Sequence, residues 1–187
     1  MAAAQSPTPS VTGAIEAYVG IGRGSDVAPL AVGSVTQRRL RVEGRYGYED
    51  EHTGSVFGGW EITRDARISL WLAPMLGAVF GRTSGVAPAV ELEVASGRFT
   101  LYVESEYLIA AGDGDDFLFT WTTATWRLTD RVDAGLVVQR LRTFLTAPDV
   151  DRGAMARVAI GPASVALYVY NPFGDARFGQ LGVGWEF

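Results

Sequence analysis

A chain of 187 residues with a net charge of −5 is long enough for one domain or one barrel, and too acidic to offer nucleic acid an electrostatic reason to bind. With no cysteine, neither disulfides nor a thiolate metal site can hold it together. All 16 basic residues are arginine, which stays charged when partly buried and forms bidentate carboxylate pairs, so it suits a charged interior.

No apolar run reaches the ~18 residues of a membrane-spanning helix. The longest, Leu70 to Gly81, contains Pro74 and several glycines. A helical membrane protein is therefore not expected. Residues 1–11 are expected to be a flexible segment, since Gln5 to Ser10 are rich in Ser, Thr and Pro. Ala2, Ala3 and Ala4 before Gln5 look like the small-residue end of an export signal, so either the true start is expected upstream or the signal has been removed.

From residue 12 to 187 the pattern is strands and turns. The first strand runs about Thr12 to Gly22, with Ile15, Ala17, Val19 and Ile21 on one face and Glu16 and Tyr18 on the other. Arg23 to Asp26 turns the chain. The second strand, Val27 to Thr36, shows no clear alternation, and Pro29 within it needs an unpaired or bulged position. The third, Arg39 to Glu49, sets Leu40, Val42, Gly44, Tyr46 and Tyr48 against Arg39, Arg41, Glu43, Arg45 and Glu49. Five charges on one face need water or one another. After the polar turn Asp50 to Gly54, the fourth strand runs to Thr63 and opposes Val56, Gly58, Trp60 and Ile62 to Phe57, Gly59 and Glu61; Arg64 and Asp65 make a tight turn.

The fifth strand spans Ala66 to Gly81, with Ile68, Leu70, Leu72, Leu76 and Phe80 opposite Arg67, Ser69, Trp71, Met75 and Gly77. The sixth, Val86 to Ala95, sets Val86, Val90, Leu92 and Val94 against Glu91 and Glu93. The seventh, Arg98 to Ala110, sets Phe99, Leu101, Val103, Tyr107 and Ile109 against Thr100, Tyr102, Glu104 and Glu106. An acidic loop, Gly112 to Asp116, precedes the eighth, Phe117 to Arg127. The ninth, Arg131 to Thr143, carries Ala134, Leu136 and Val138 opposite Asp133, Gly135 and Gln139. Thr146 to Gly153 is expected as a loop. The tenth strand carries Ala156, Val158 and Ile160 opposite Arg157, and the eleventh, Ser164 to Tyr170, is apolar on both faces. After a turn at Asn171 to Ala176, the last strand alternates Leu181, Val183, Trp185 and Phe187 with Gly182, Gly184 and Glu186.

Strands of roughly ten residues joined by turns, with no helix between them, predict an all-β antiparallel up-and-down barrel. The count is about 12 strands, or 10 if the first two do not join the wall. The turns near Gln37, Arg64, Ser96, Thr129 and Gly161 are tight. Those near Ser25, Asp50, Thr83, Asp113, Asp149 and Gly174 are mostly longer and richer in Gly or acid. Short periplasmic turns and longer outer loops produce this pattern.

Alternation alone fits a soluble lipocalin-like barrel with Leu, Val and Phe inside, or a transmembrane barrel with the reverse. Aromatic placement favours the membrane. Tyr46, Tyr48, Phe80, Tyr107 and Phe117 lie toward one end of their strands, and Phe99, Trp185 and Phe187 toward the other, as two interfacial girdles would. A soluble barrel of this size also needs a large apolar interior, yet the polar parity is rich in Gly and Ala.

The last strand resembles the terminal strand of bacterial outer-membrane β-barrels, which ends in Phe and is read by the assembly machinery. Further stretches are similar to a family of small, uncharacterised outer-membrane barrels of Gram-negative bacteria: Arg45–Asp50 (RYGYED), Gly54–Trp60 (GSVFGGW), Pro74–Gly81 (PMLGAVFG), Gly85–Pro88 (GVAP), Leu136–Arg140 (LVVQR) and Tyr170–Pro172 (YNP). The likeness covers about Leu40 to Phe187. It implies a transmembrane barrel in the outer membrane, partnered by the lipid bilayer and the assembly machinery, with Leu181, Val183, Trp185 and Phe187 as assembly signal. It brings no activity, so no catalytic residue, cofactor or metal is implied.

The charges give the functional expectation. If the parities hold, Arg41, Glu43, Arg45, Glu91, Glu93, Glu104 and Glu106 all point into the lumen, as does Arg39. An arginine wall facing a glutamate wall would sort small polar or charged solutes by charge as they diffuse through. Alternatively, these groups pair with each other and fill a closed barrel with a structural or partner-binding role. A membrane-barrel hydrolase is the remaining alternative. His52, the only histidine, lies near Ser55 and Glu49, and Glu104 and Glu106 share a face. Asp113, Asp115 and Asp116 are hard-oxygen donors for Ca²⁺, but a hairpin loop with Gly112 and Gly114 explains the same residues.

Overall fold

A computed structural model describes residues 11–21, 29–112, 114–143 and 149–187. The expected flexible start through residue 10, the turn Arg23 to Asp26 and Asp113 lie outside those residues. Every regular element described is a strand. In chain order these are β1 (Val11–Ile21), β2 (Leu30–Gln37), β3 (Leu40–Tyr46), β4 (Thr53–Trp60), β5 (Ile62–Arg64), β6 (Ser69–Gly81), β7 (Gly85–Ser96), β8 (Phe99–Ala110), β9 (Phe117–Arg127), β10 (Val132–Thr143), β11 (Asp149–Ile160), β12 (Ala163–Tyr170) and β13 (Phe178–Glu186).

Consecutive strands pair antiparallel, except that β4 and β5 both pair with β6, and β1 closes on β13 from Ala14 opposite Glu186 to Ile21 opposite Gly179. β4 and β5 share one stave. Gly59 opposite Met75 and Ile62 opposite Leu72 belong to the same register along β6. Between them the Glu61 amide turns to the Arg39 carbonyl at 2.8 Å, on the other side. The result is a closed up-and-down barrel of 12 staves. Closure leaves no unpaired edge, which is what a β structure in lipid requires.

The alternation sorts the two faces. Leu40, Val42, Val56, Trp60, Leu76, Val86, Leu136, Val165 and Val183 point outward and are exposed, with Leu136 at 65%. Glu43, Arg45, Phe57, Met75, Glu91, Glu104 and Glu106 point inward and are buried. An apolar outer surface around a charged interior is a lipid-facing barrel and the inverse of a lipocalin.

Both ends of the chain's wall meet at one rim, where Gly13 and Phe187 exchange backbone hydrogen bonds of 2.7 and 2.9 Å. The short turns lie at this rim. Gln37 pairs with Leu40, Ser96 with Phe99 and Ile160 with Ala163, leaving two-residue turns. Their first positions have φ of 62° at Arg38, 61° at Gly97 and 62° at Gly161. Glycine is the favoured residue at a first turn position with positive φ; Arg38 adopts it at a steric cost. We call this rim the turn end and the opposite rim the loop end.

Several expectations are corrected. β2 starts at Leu30, not Val27, and Pro29 stands unpaired before the ladder, one of the two positions its missing amide allows. β3 stops at Tyr46. Gly47 at φ 68° breaks the alternation, and Tyr48 therefore turns into the lumen instead of joining an outer girdle. Arg39 lies exposed in the turn before β3, not on its lumenal face. β11 begins at Asp149, so only the first part of the expected 146–153 loop precedes it, outside the described residues up to 148. Phe117 packs inward against Phe57, Met75 and Leu108. The outer aromatic girdle is richer at the turn end, with Trp60, Phe99, Trp126, Trp185 and Phe187, than at the loop end, with Tyr46 and Phe80.

Candidate functional site: the charged lumen

β3 brings two arginines inward four residues apart, with Glu43 between them, and β7 and β8 bring glutamates to meet them across the lumen. Arg45 Nε donates to Glu43 at 2.7 Å and its Nη1 to Glu106 at 2.8 Å. The same Nη1 lies 3.0 Å from Glu104, and Nη2 lies 3.8 Å from Glu91. Arg41 Nη2 donates to Glu43 at 2.5 Å and lies 3.2 Å from Glu91. Arg41 Nη1 reaches Glu61 at 3.5 Å, and Glu61 also accepts from Thr36 at 2.8 Å. Arg45 is 4% exposed. Its guanidinium lies over Tyr48 at 4.5 Å and Phe57 at 4.3 Å, and Arg41 lies over Trp71 at 5.3 Å.

The arginine wall and glutamate wall are thus in contact. Five carboxylates, from Glu43, Glu61, Glu91, Glu104 and Glu106, share two guanidinium groups. Arginine suits this role because its fork of donors can serve several carboxylates at once and it is less strongly hydrated than an ammonium. Small residues opposite make room for large ones: Gly77, across from Phe57, has a backbone that any Cβ would drive into the Phe57 ring.

The lumen has two different halves. A cavity of about 410 Å³ starts at the turn end, where Glu93, Thr125 and Glu186 line it, and ends against Tyr48, Phe119 and Tyr168. Around and beyond that level side chains fill the bore. Phe57, Met75, Val79, Ala87, Ala89 and Leu108 form one buried cluster; Val137, Met155, Ala166, Tyr168 and Tyr170 form another. Phe178 stacks on Tyr170 at 4.6 Å, and the Trp121 indole donates to the Tyr170 hydroxyl at 3.1 Å. Phe57, Leu108 and Tyr170 have no exposed surface.

All seven lumen residues expected from the sequence point inward. Six of them, Arg41, Glu43, Arg45, Glu91, Glu104 and Glu106, converge. Glu93 lines the cavity nearer the turn end, exposed and without an ion pair among the described residues. Glu61 as a further partner of Arg41, and the aromatic side of the site, where Tyr48, Trp121 and Tyr168 join the inward-parity Trp71 and Tyr102, are not singled out by the sequence. The parity of Glu61, shared with Phe57, carried the signal for the first. Of the hydrolase candidates, His52 sits at φ 57° in the loop-end turn, and the Ser55 hydroxyl donates to Glu49. Asp116 closes its hairpin by accepting from the Ala110 amide at 2.8 Å and the Tyr107 hydroxyl at 3.1 Å. Among the described residues no acidic or histidine group of three is placed to hold a metal.

No protein-family model and no curated protein sequence matches this chain. Solved structures do match in fold. The KdgM porin in complex with disordered oligogalacturonate is 6% identical, with a TM-score of 0.65 over 94% of this chain and 99% of that one. The NanC porin is 10% identical, with a TM-score of 0.58 over 95% and 99%. Pseudomonas aeruginosa OccK7 (OpdD) is 13% identical, with a TM-score of 0.52 over 91% of this chain and 58% of its own. At these identities the likeness is one of fold, and with the apolar girdle and closed wall it is the fold of an outer-membrane β-barrel of porin type.

Proposed function

We propose that the protein is a narrow outer-membrane channel for passive diffusion of small polar or charged solutes. The observation that carries this reading is the cavity that runs from the turn end to the Arg45 layer, walled by charged and aromatic side chains. The Arg45 layer is then the constriction, and Arg41, Glu43, Arg45, Glu91, Glu93, Glu104 and Glu106 set its selectivity. The turn end faces the periplasm, and the last strand, through Leu181, Val183, Trp185 and Phe187, serves as the assembly signal.

One observation favours a second reading. The full burial of Phe57, Leu108 and Tyr170 fits a barrel filled on its loop half, with a structural or partner-binding role. Swelling of proteoliposomes decides between them. A channel of this bore admits glycine and excludes a trisaccharide. Inserted protein that admits neither leaves the filled barrel.

The KdgM comparison extends to cargo only in part. A uronate polymer carries a carboxylate on each sugar, whereas the lumen here has more carboxylates than guanidinium groups, so the geometry supports a different charge of solute.

A further inference from the structure

We propose that the turn-end vestibule takes small organic cations carrying primary ammonium or guanidinium groups. This deepens the channel reading by naming its cargo, and it rests on that reading only for transport, not for binding.

The first support is charge. Glu16, Glu43, Glu91, Glu93, Glu104 and Glu186 line the cavity, against Arg41 and Arg157. Arg157 is already engaged by Asp133 at 3.0 Å. Glu16, Glu93 and Glu186 are exposed and line the cavity. A low-dielectric wall focuses the field of such a set into the bore and raises the local concentration of cations.

The second support is that the lumen already holds two organic cations, tethered to its own wall. Arg41 and Arg45 each sit between carboxylates and an aromatic face. That is the environment a free guanidinium or ammonium group seeks. Further faces, Tyr102 and Trp121, line the same cavity.

The third is unfilled capacity. In the Arg45 layer at the inner end of the cavity, Glu106 Oε1 and the Tyr48 hydroxyl are buried without a hydrogen-bond partner, as are the donors Arg41 Nε and Arg45 Nη2; of these side chains Tyr48 and Arg41 line the cavity itself. Two guanidinium groups do not satisfy five carboxylates. The excess of carboxylates over guanidinium groups lining the cavity favours a visiting cation over an anion.

Equilibrium dialysis of the detergent-folded full chain against labelled 1,4-diaminobutane, with glutarate as the anionic control at equal ionic strength, tests this directly. The diamine is expected to bind saturably and glutarate not. Replacing the exposed pair together, Glu16→Gln with Glu93→Gln, should weaken the diamine about tenfold, the scale of two partly exposed ion pairs. Absence of saturable diamine binding, equal binding of glutarate, or an unchanged affinity in the double variant overturns the proposal. A chain that binds the diamine but does not conduct keeps this inference and loses the channel reading. A chain that conducts without binding it does the reverse.

Discussion

Replacing Arg45 with Met removes the guanidinium while keeping most of the side chain's volume. In the native lumen that group lies 2.7 to 3.0 Å from Glu43, Glu104 and Glu106. At an effective dielectric near 20, each such contact is worth roughly 5–6 kcal/mol before desolvation. Burying the ions costs several kcal/mol apiece, so the gross sum is not the net. What the variant exposes is the asymmetry: the carboxylates stay buried and lose their partner, which costs about 3–5 kcal/mol. Urea unfolding of vesicle-folded protein, followed by intrinsic fluorescence, measures it. The triple change of Arg45→Met with Glu104→Gln and Glu106→Gln should recover at least half the loss, since neutral amides tolerate the site better than orphaned carboxylates. If Arg45→Met alone lowers stability by less than about 1 kcal/mol, the network does not hold the lumen together as argued.

Other changes probe other parts of the molecule. Leu92→Arg, on the lipid face near the middle of β7, should cost about 2–4 kcal/mol in bilayer refolding, and a cost near zero would place that face in water. Arg38→Gly should stabilise by up to about 1 kcal/mol in the same assay, because φ of 62° favours glycine; a loss of stability would refute strain at that turn. Changing Glu91, Glu93, Glu104 and Glu106 together to Gln should shift the reversal potential of the conducting protein, and unaltered selectivity would remove these residues from that role. Phe187→Ala should lower the yield of assembled barrel in cells more than it lowers the stability of refolded protein. Equal effects would reduce Phe187 to its packing over Gly13.

Alternation made the wall legible. Where a strand carries apolar residues on one parity and charge on the other, as in β3, β7 and β13, the sequence determines both the strand and its facing. It failed where one residue reset the parity. Tyr48 follows Gly47, whose positive φ ends the alternation of β3 and lets Tyr48 turn inward, and nothing in a period-two pattern signals that switch. β2 was weakly patterned for a different reason: its inward residues Ser34 and Thr36 are small and polar, so the contrast between faces is slight. Contacts across the lumen were out of reach. Parity says that Arg45 and Glu106 both point inward, but not that strands so far apart in sequence bring them to 2.8 Å. Nor does it say that Phe57 and Leu108, of the inward parity, fill the bore beside them. That distinction separates a transverse field across open water from a packed polar layer.

Single-channel recording of the refolded protein in a planar bilayer tests the central claim most directly. An open acidic lumen gives steady steps with a reversal potential of cation-selective sign under a salt gradient. Silence in protein shown to have inserted would contradict it and leave a filled barrel; anion-selective steps would contradict the acidic lumen as the seat of selectivity.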